Sequence, residues 1–94
     1  MAPKKPTGTA DLSLVVCTYG RTKQLSELID SIKHQSILPK EIIIVDQNSP
    51  GFLDSLIEDC AENLTIVHEN VKFTGASKAR NHGASMATGE LIAF

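Results

Sequence analysis

With 94 residues, 41 % of them hydrophobic and 21 % charged, the chain has room for one small folded domain that buries roughly 60 to 65 % of its unfolded surface. Its formal net charge of -2 disfavours a nucleic-acid backbone as main partner, because such binding rests on a basic patch. No apolar run approaches the roughly 18 residues that a membrane helix needs. The opening MAPKKPTGTAD has basic residues but no apolar segment, so it does not read as a secretory signal, and residues 1–10 read as a flexible tail. Cys17 and Cys60 lack metal-ligand spacing and read as thiols of a reducing compartment. The chain is therefore expected in the cytoplasm, or at the membrane surface as part of a full-length protein.

From Leu12 the sequence turns apolar, and Leu12, Leu14, Val15, Val16 and Cys17 predict a strand ending at Thr18 and Tyr19, followed by a turn at Gly20. Leu25, Leu28, Ile29 and Ile32 then recur at i, i+3, i+4, i+7, one face of a helix running from Thr22 to about Gln35. Ile37, Leu38 and Pro39 read as its connection to the next strand. In Glu41–Pro50, EIIIVDQNSP, the β-branched run Ile42, Ile43, Ile44 and Val45 is too short for a helix and typical of a strand buried on both faces. That strand delivers Asp46, Gln47, Asn48 and Ser49 to its carboxyl end, the edge at which open α/β sheets bind ligands.

Ser49 and Pro50 predict the start of a second helix, with Leu53, Leu56, Ile57 and Cys60 inward. Leu64 to His68 is a third short strand. A third helix opens at Gly75, its inward face Ala76, Ala79, Gly83 and Met86, and ends at Gly89 through a residue with positive φ. Glu90 to Phe94 is a fourth strand. The alternation β-α-β-α-β-α-β predicts an α/β fold, a three-layer Rossmann-like parallel sheet, and right-handed crossovers favour strand order 3-2-1-4.

Neither a dinucleotide fingerprint nor a P-loop is present, so the strand-end polar groups must bind a ligand in another way. Tyr19 offers a ring for stacking on a base, and Asp46 or Gln47 can accept hydrogen bonds from base or ribose. Arg80, early in the third helix, can reach a phosphate with its planar fork. Each also has a plainer reading: Tyr19 in turn packing, Asp46 as a strand-end cap, Arg80 in an ion pair with Glu69 or Asp46. His34, His68 and His82 lack the spacing of a metal site and read as structural.

Four segments in order, VVCTYGR at Val15 to Arg21, EIIIVDQNS, GASKARNHG and TGELIAF, resemble the amino-terminal half of family 2 glycosyltransferases, which have the GT-A fold. The likeness spans about Leu12 to Phe94 and implies a nucleotide-binding part over residues 11–94, a partial GT-A fold. It also implies transfer of a sugar from a nucleotide diphosphate sugar to an acceptor. By position, Thr18, Tyr19 and Arg21 would border the nucleotide, Asp46 and Gln47 would contact base and ribose, and Arg80 would lie near the diphosphate. Cys17 stands where the family has proline, Gly20 where it has asparagine, and Gln47 where it has a second aspartate.

The family's Asp-rich motif for a divalent metal, Mn or Mg, comes just after the position of Phe94. The metal ligands and the catalytic base are therefore expected outside these 94 residues, and the isolated chain is expected to be inactive. A non-catalytic nucleotide-binding or self-associating α/β module is the alternative. The fourth strand at the sheet edge adds an expectation of homo-oligomers.

Overall fold

The computed structural model describes residues 8–20, 22–60 and 64–94, with Cys60 described in backbone only. Seven elements alternate: β1 (Gly8–Thr18), α1 (Thr22–Lys33), β2 (Ile37–Asp46), α2 (Asp54–Cys60), β3 (Ile66–Asn70), α3 (Ala76–Met86) and β4 (Leu91–Ala93). The four strands form one parallel sheet in the order β3-β2-β1-β4, as the alternation predicts. No helix among the described residues is long and apolar enough to cross a membrane.

The centre of the sheet is the run Ile42, Ile43, Ile44 and Val45, each at most 1 % exposed. Burying each such side chain stabilises the fold by about 1.5 to 3 kcal/mol. Alternation along β2 sends Ile42 and Ile44 to one face, where they meet Leu25, Ile29 and Ile32 of α1, with Leu56 and Ile57 of α2 packed against the cluster. Ile43 and Val45 point to the other face and pack with Val15 and with Ala79 of α3. Three layers result, with α1 and α2 on one side and α3 on the other.

Several boundaries differ from the expected ones for identifiable reasons. β1 begins at Gly8, within the expected tail, because Gly8, Thr9 and Ala10 pair with Ile37, Leu38 and Pro39; those three belong to β2 and not to a connection. The register shifts between Ala10 and Ser13, and Pro39, which has no N–H to donate, sits beside that irregularity as proline in sheets does. Residues 1–7, the rest of the expected tail, lie outside the described part. α2 begins at Asp54 and not at Ser49 or Pro50. Gly51 has φ of +85°, a left-handed conformation that a right-handed helix cannot contain. β3 runs two residues past His68, to Asn70.

Two helix faces also differ. Leu28, expected inward on α1, is 39 % exposed and flanks the open side of β1. On α3 the buried residues are Ala79 and Gly83, with Met86 half-buried and Ala76 exposed. A Cβ at Gly83 would overlap Val15 Cγ1 and lie 3.0 Å from Val45 Cγ2, so the missing side chain lets α3 lie directly on the sheet. The helix ends at Met86, with Ala87 extended behind it, and Gly89 is not its left-handed cap. A Cβ at Gly89 would sit 2.8 Å from the Ser13 amide nitrogen and hydroxyl, so close approach to β1 accounts for that glycine.

Candidate functional site

The carboxyl ends of β1 and β2 lie side by side, Thr18 opposite Asp46, and the residues that follow them in the loops are Tyr19 and Gln47. Tyr19 is 69 % exposed. Together with Gln47, Thr74 and Gly75 it lines a concavity of about 250 Å³ between the β1 and β2 ends and the entry to α3. Gln47 is fixed at both ends. Its backbone N–H donates to Thr18 O at 2.9 Å, and its side-chain Nε2 donates to Phe73 O at 3.3 Å and Gly75 O at 3.4 Å. With the amide nitrogen committed to two carbonyls, the side chain has its oxygen left as an acceptor.

Asp46 is wholly buried, and its carboxylate is spent within the fold. Oδ1 accepts from the Asn48 backbone N–H and from Asn48 Nδ2, both at 2.8 Å. Oδ2 accepts from Nε2–H of His68 at 2.7 Å. The Asp46 carbonyl in turn accepts from Val71 N and from Asn70 Nδ2. Such a buried carboxylate is tolerated because donors surround it. Asn48 carries the network across the edge: its Oδ1 accepts from Gly20 N at 2.6 Å, and its carbonyl accepts from Asn70 Nδ2 at 2.9 Å.

The remaining expected residues are apart from that concavity. Thr18 is buried, and its Oγ1 has no hydrogen-bond partner among the described residues; the residue borders a smaller cavity of about 120 Å³ against Gln24, Leu25 and Leu28 of α1. Arg80 lines a groove of about 480 Å³ along the open side of β1, with Leu28, Ala76 and Phe94. Its guanidinium donates to Ser77 Oγ at 3.5 Å, while Asp46 and Glu69 are engaged instead by His68 and His82. Arg21 lies outside the described residues. Cys17 is a free, half-buried thiol whose pKa burial pushes up, with the nearby Arg80 charge acting weakly the other way.

Sequence reasoning read His68 as structural without a partner and did not single out Asn70, since β-strand alternation alone does not say which neighbour a polar residue faces. The parallel pairing of Asp46 with Asn70 was the signal available, once β3 is extended past His68. Among the described residues no group of three or more His, Cys, Asp or Glu side chains could hold a metal ion, and the only carboxylate at the ends of β1 and β2 is fully occupied. These residues therefore do not fit a metal site.

A parallel 3-2-1-4 sheet that presents a tyrosine and a strand-end DQNS segment at one edge agrees with what comparison finds. The sequence profile of Glycosyl transferase family 2 matches residues 13–94. The chain belongs to this family. Among similar proteins, the glucosyl-dolichyl phosphate glucuronosyltransferase of Haloferax volcanii is 32 % identical over 86 residues, covering 88 % of this chain and 28 % of that protein. The uncharacterized glycosyltransferase YwdF of Bacillus subtilis is 38 % identical over 82 residues, covering 86 % and 30 %. A GalNAc(5)-diNAcBac-PP-undecaprenol beta-1,3-glucosyltransferase of Campylobacter jejuni is 30 % identical over 87 residues, covering 88 % and 28 %. The chain thus spans less than a third of the length of these relatives.

Proposed function

We propose that this family 2 chain forms the nucleotide-binding part of an enzyme that transfers a sugar from a nucleotide diphosphate sugar to an acceptor, and that the base lies in the concavity of Tyr19, Gln47, Thr74 and Gly75. The observation that carries this reading is the pairing of an exposed aromatic ring with an oriented amide at the carboxyl edge of a parallel sheet. Stacking on Tyr19 supplies affinity that every base can use. Selectivity comes from Gln47, whose carbonyl oxygen suits a base N–H donor.

Asp46 takes a different part from that of a ribose or base contact. Its buried carboxylate holds the 46–48 segment in shape, and Gln47 is the side chain that projects from it to the ligand. Arg80 sits five residues beyond Gly75, in the second turn of α3, and serves the diphosphate side, in the groove along β1. The chemistry of transfer, including any metal that neutralises the leaving diphosphate, belongs to ligands and a base that these described residues do not supply. The 94-residue chain alone binds donor and does not turn it over.

Titrating the chain with UDP, GDP, dTDP and ADP while following backbone amide shifts tests the reading. Shifts confined to Tyr19, Gln47, Thr74, Gly75 and the start of α3 are expected. No shift with any of the four at millimolar concentration would reject it.

A further inference from the structure

We propose that His68 is a positioning residue for this edge: by donating from Nε2 to Asp46 Oδ2, it fixes the separation of the loops that carry Tyr19 and Gln47. The inference rests on the donor-binding reading above. It adds a residue on β3, a strand whose own end contributes nothing to the Tyr19 and Gln47 concavity.

The connection is a chain of short hydrogen bonds that crosses three strands. His68 meets Asp46 at 2.7 Å; Asp46 Oδ1 holds both the backbone and side-chain nitrogens of Asn48 at 2.8 Å; Asn48 Oδ1 holds the Gly20 amide at 2.6 Å. Gly20 is the residue after Tyr19, and Asn48 is the residue after Gln47. Beyond the ladder, where Gln47 N–H donates to Thr18 O at 2.9 Å, the bond from Gly20 to Asn48 ties the two loops together, and its acceptor is oriented by Asp46.

Asp46 has little freedom to compensate for the loss of His68. Its side chain is 0 % exposed, whereas that of His68 is 23 % exposed, so water reaches the imidazole more easily than the carboxylate. With His68 gone, Oδ2 is a buried anionic oxygen without its donor, a costly state. The carboxylate relieves it by rotating toward water or by recruiting a different donor, and either move takes Oδ1 away from Asn48. The loop then loses the restraint that aims Asn48 Oδ1 at Gly20. Asn70 still holds the Asn48 carbonyl, so the change is a loosening of the 18–20 and 46–48 segments and not a collapse of the sheet.

The required tautomer follows from the acceptor. A carboxylate accepts only, so His68 carries its proton on Nε2. Glutamine places an N–H donor near the position of Nε2, while leucine fills similar space and donates nothing.

His68→Leu and His68→Gln, made in the 94-residue chain, separate positioning from packing. UDP is the probe for binding. Amide hydrogen exchange of Gly20 and Asn48 is read without ligand, against Ile43 and Ile44 as internal references for global opening. With His68→Leu, exchange at Gly20 and Asn48 accelerates about tenfold relative to the references and UDP binding weakens about tenfold, the scale of one lost buried bond. His68→Gln restores both to within about threefold of the parent. Unchanged exchange at Gly20 and Asn48 in His68→Leu overturns the proposal, as does equal loss in both variants, which would mean a packing role. If the parent chain responds to none of UDP, GDP, dTDP and ADP, the donor reading fails, while the exchange data still decide the role of His68. Should His68→Leu not fold, the His68 ring in the parent decides: a bare Nε2, or an Nε2–H that exchanges as fast as that of a free imidazole, overturns the link, and an Nε2–H protected from exchange upholds it.

Discussion

The Ser13 hydroxyl donates to the Glu41 carboxylate at 2.6 Å, with both residues buried, midway along β1 and β2. The same carboxylate oxygen accepts from the Thr88 amide at 2.7 Å and the Thr88 hydroxyl at 2.8 Å, and Ser13 Oγ in turn accepts from Gly89 N at 2.8 Å. Strands β1 and β2 are thereby tied to the loop that feeds β4. β4 has only three residues paired with β1, and this polar cluster adds to that short ladder in holding it in register.

Replacing Ser13 with Ala removes a donor from Glu41 and the acceptor of Gly89. We expect a loss of about 1 to 3 kcal/mol, the range for unsatisfied buried polar groups, measured by urea denaturation. Disordering should begin at residues 88–94, visible as faster amide exchange there than in β2.

The hydrogen bonds from Ser13 and Thr88 hold the Glu41 pKa below the usual carboxylate value, against a smaller opposing effect of burial. The folded-state value lies below the unfolded one, so the unfolded chain takes up this proton first as pH falls. The stabilisation is complete above the unfolded value of about 4.3 and is lost progressively as pH drops through the folded value. Glu41→Gln should therefore flatten the acid side of the stability curve while lowering its neutral plateau. Denaturation midpoints between about pH 2 and 7 read both effects. An acid limb as steep as that of the parent would show that other carboxylates carry it.

Gly83→Ala gives a prediction in which two effects oppose. Helix propensity alone favours alanine by about 1 kcal/mol. The new methyl, however, would overlap Val15 and press on Val45, whose χ1 freedom is restricted by β-branching and by the strands beneath them. Overpacking of this kind costs about 1 to 3 kcal/mol, so a net destabilisation is expected, together with amide shifts along α3. A more stable variant would mean that α3 can lift from the sheet without loss.

The architecture was legible because the strongest sequence signals, the run from Ile42 to Val45 and the helical spacing of Leu25, Ile29 and Ile32, are those that burial enforces. Boundaries were less so. Ile37 to Pro39 reads as a loop because proline discourages a strand, yet it pairs at the strand's start, where a shift in register absorbs the missing donor. Gly89 reads as a left-handed cap, and only the position of Ser13 shows it to be a point of close contact. For the site, residue type indicated an aromatic ring and an amide at the edge. It could not reveal that the Asp46 carboxylate turns inward, because that depends on His68, a strand neighbour 22 residues away.

Tyr19 and Gln47 can be separated by substitution. Tyr19 is largely exposed, so Tyr19→Ala should leave the melting temperature unchanged while weakening every nucleoside diphosphate by about 1 to 3 kcal/mol, the worth of one base–aromatic stack. Tyr19→Phe keeps the ring and should bind as the parent does. Gln47→Ala removes the acceptor and should bring the affinities for UDP, GDP and ADP together. Calorimetric titration of the three ligands checks this, and unchanged discrimination in Gln47→Ala would move base selection elsewhere.

β4 lies at an edge, and Leu91, Ile92 and Phe94 along it are exposed, Leu91 to 66 % and Phe94 to 65 %. An apolar edge strand is a template for pairing with another strand, and the 94-residue chain is expected to self-associate through it at high concentration. Ile92→Lys places a charge on that edge, a common device against strand pairing, and should shift the chain toward monomer. Sedimentation velocity over a concentration series distinguishes the outcomes. A parent chain that stays monomeric throughout, or a variant that associates just as strongly, would place the contact on a different surface or remove the need for one.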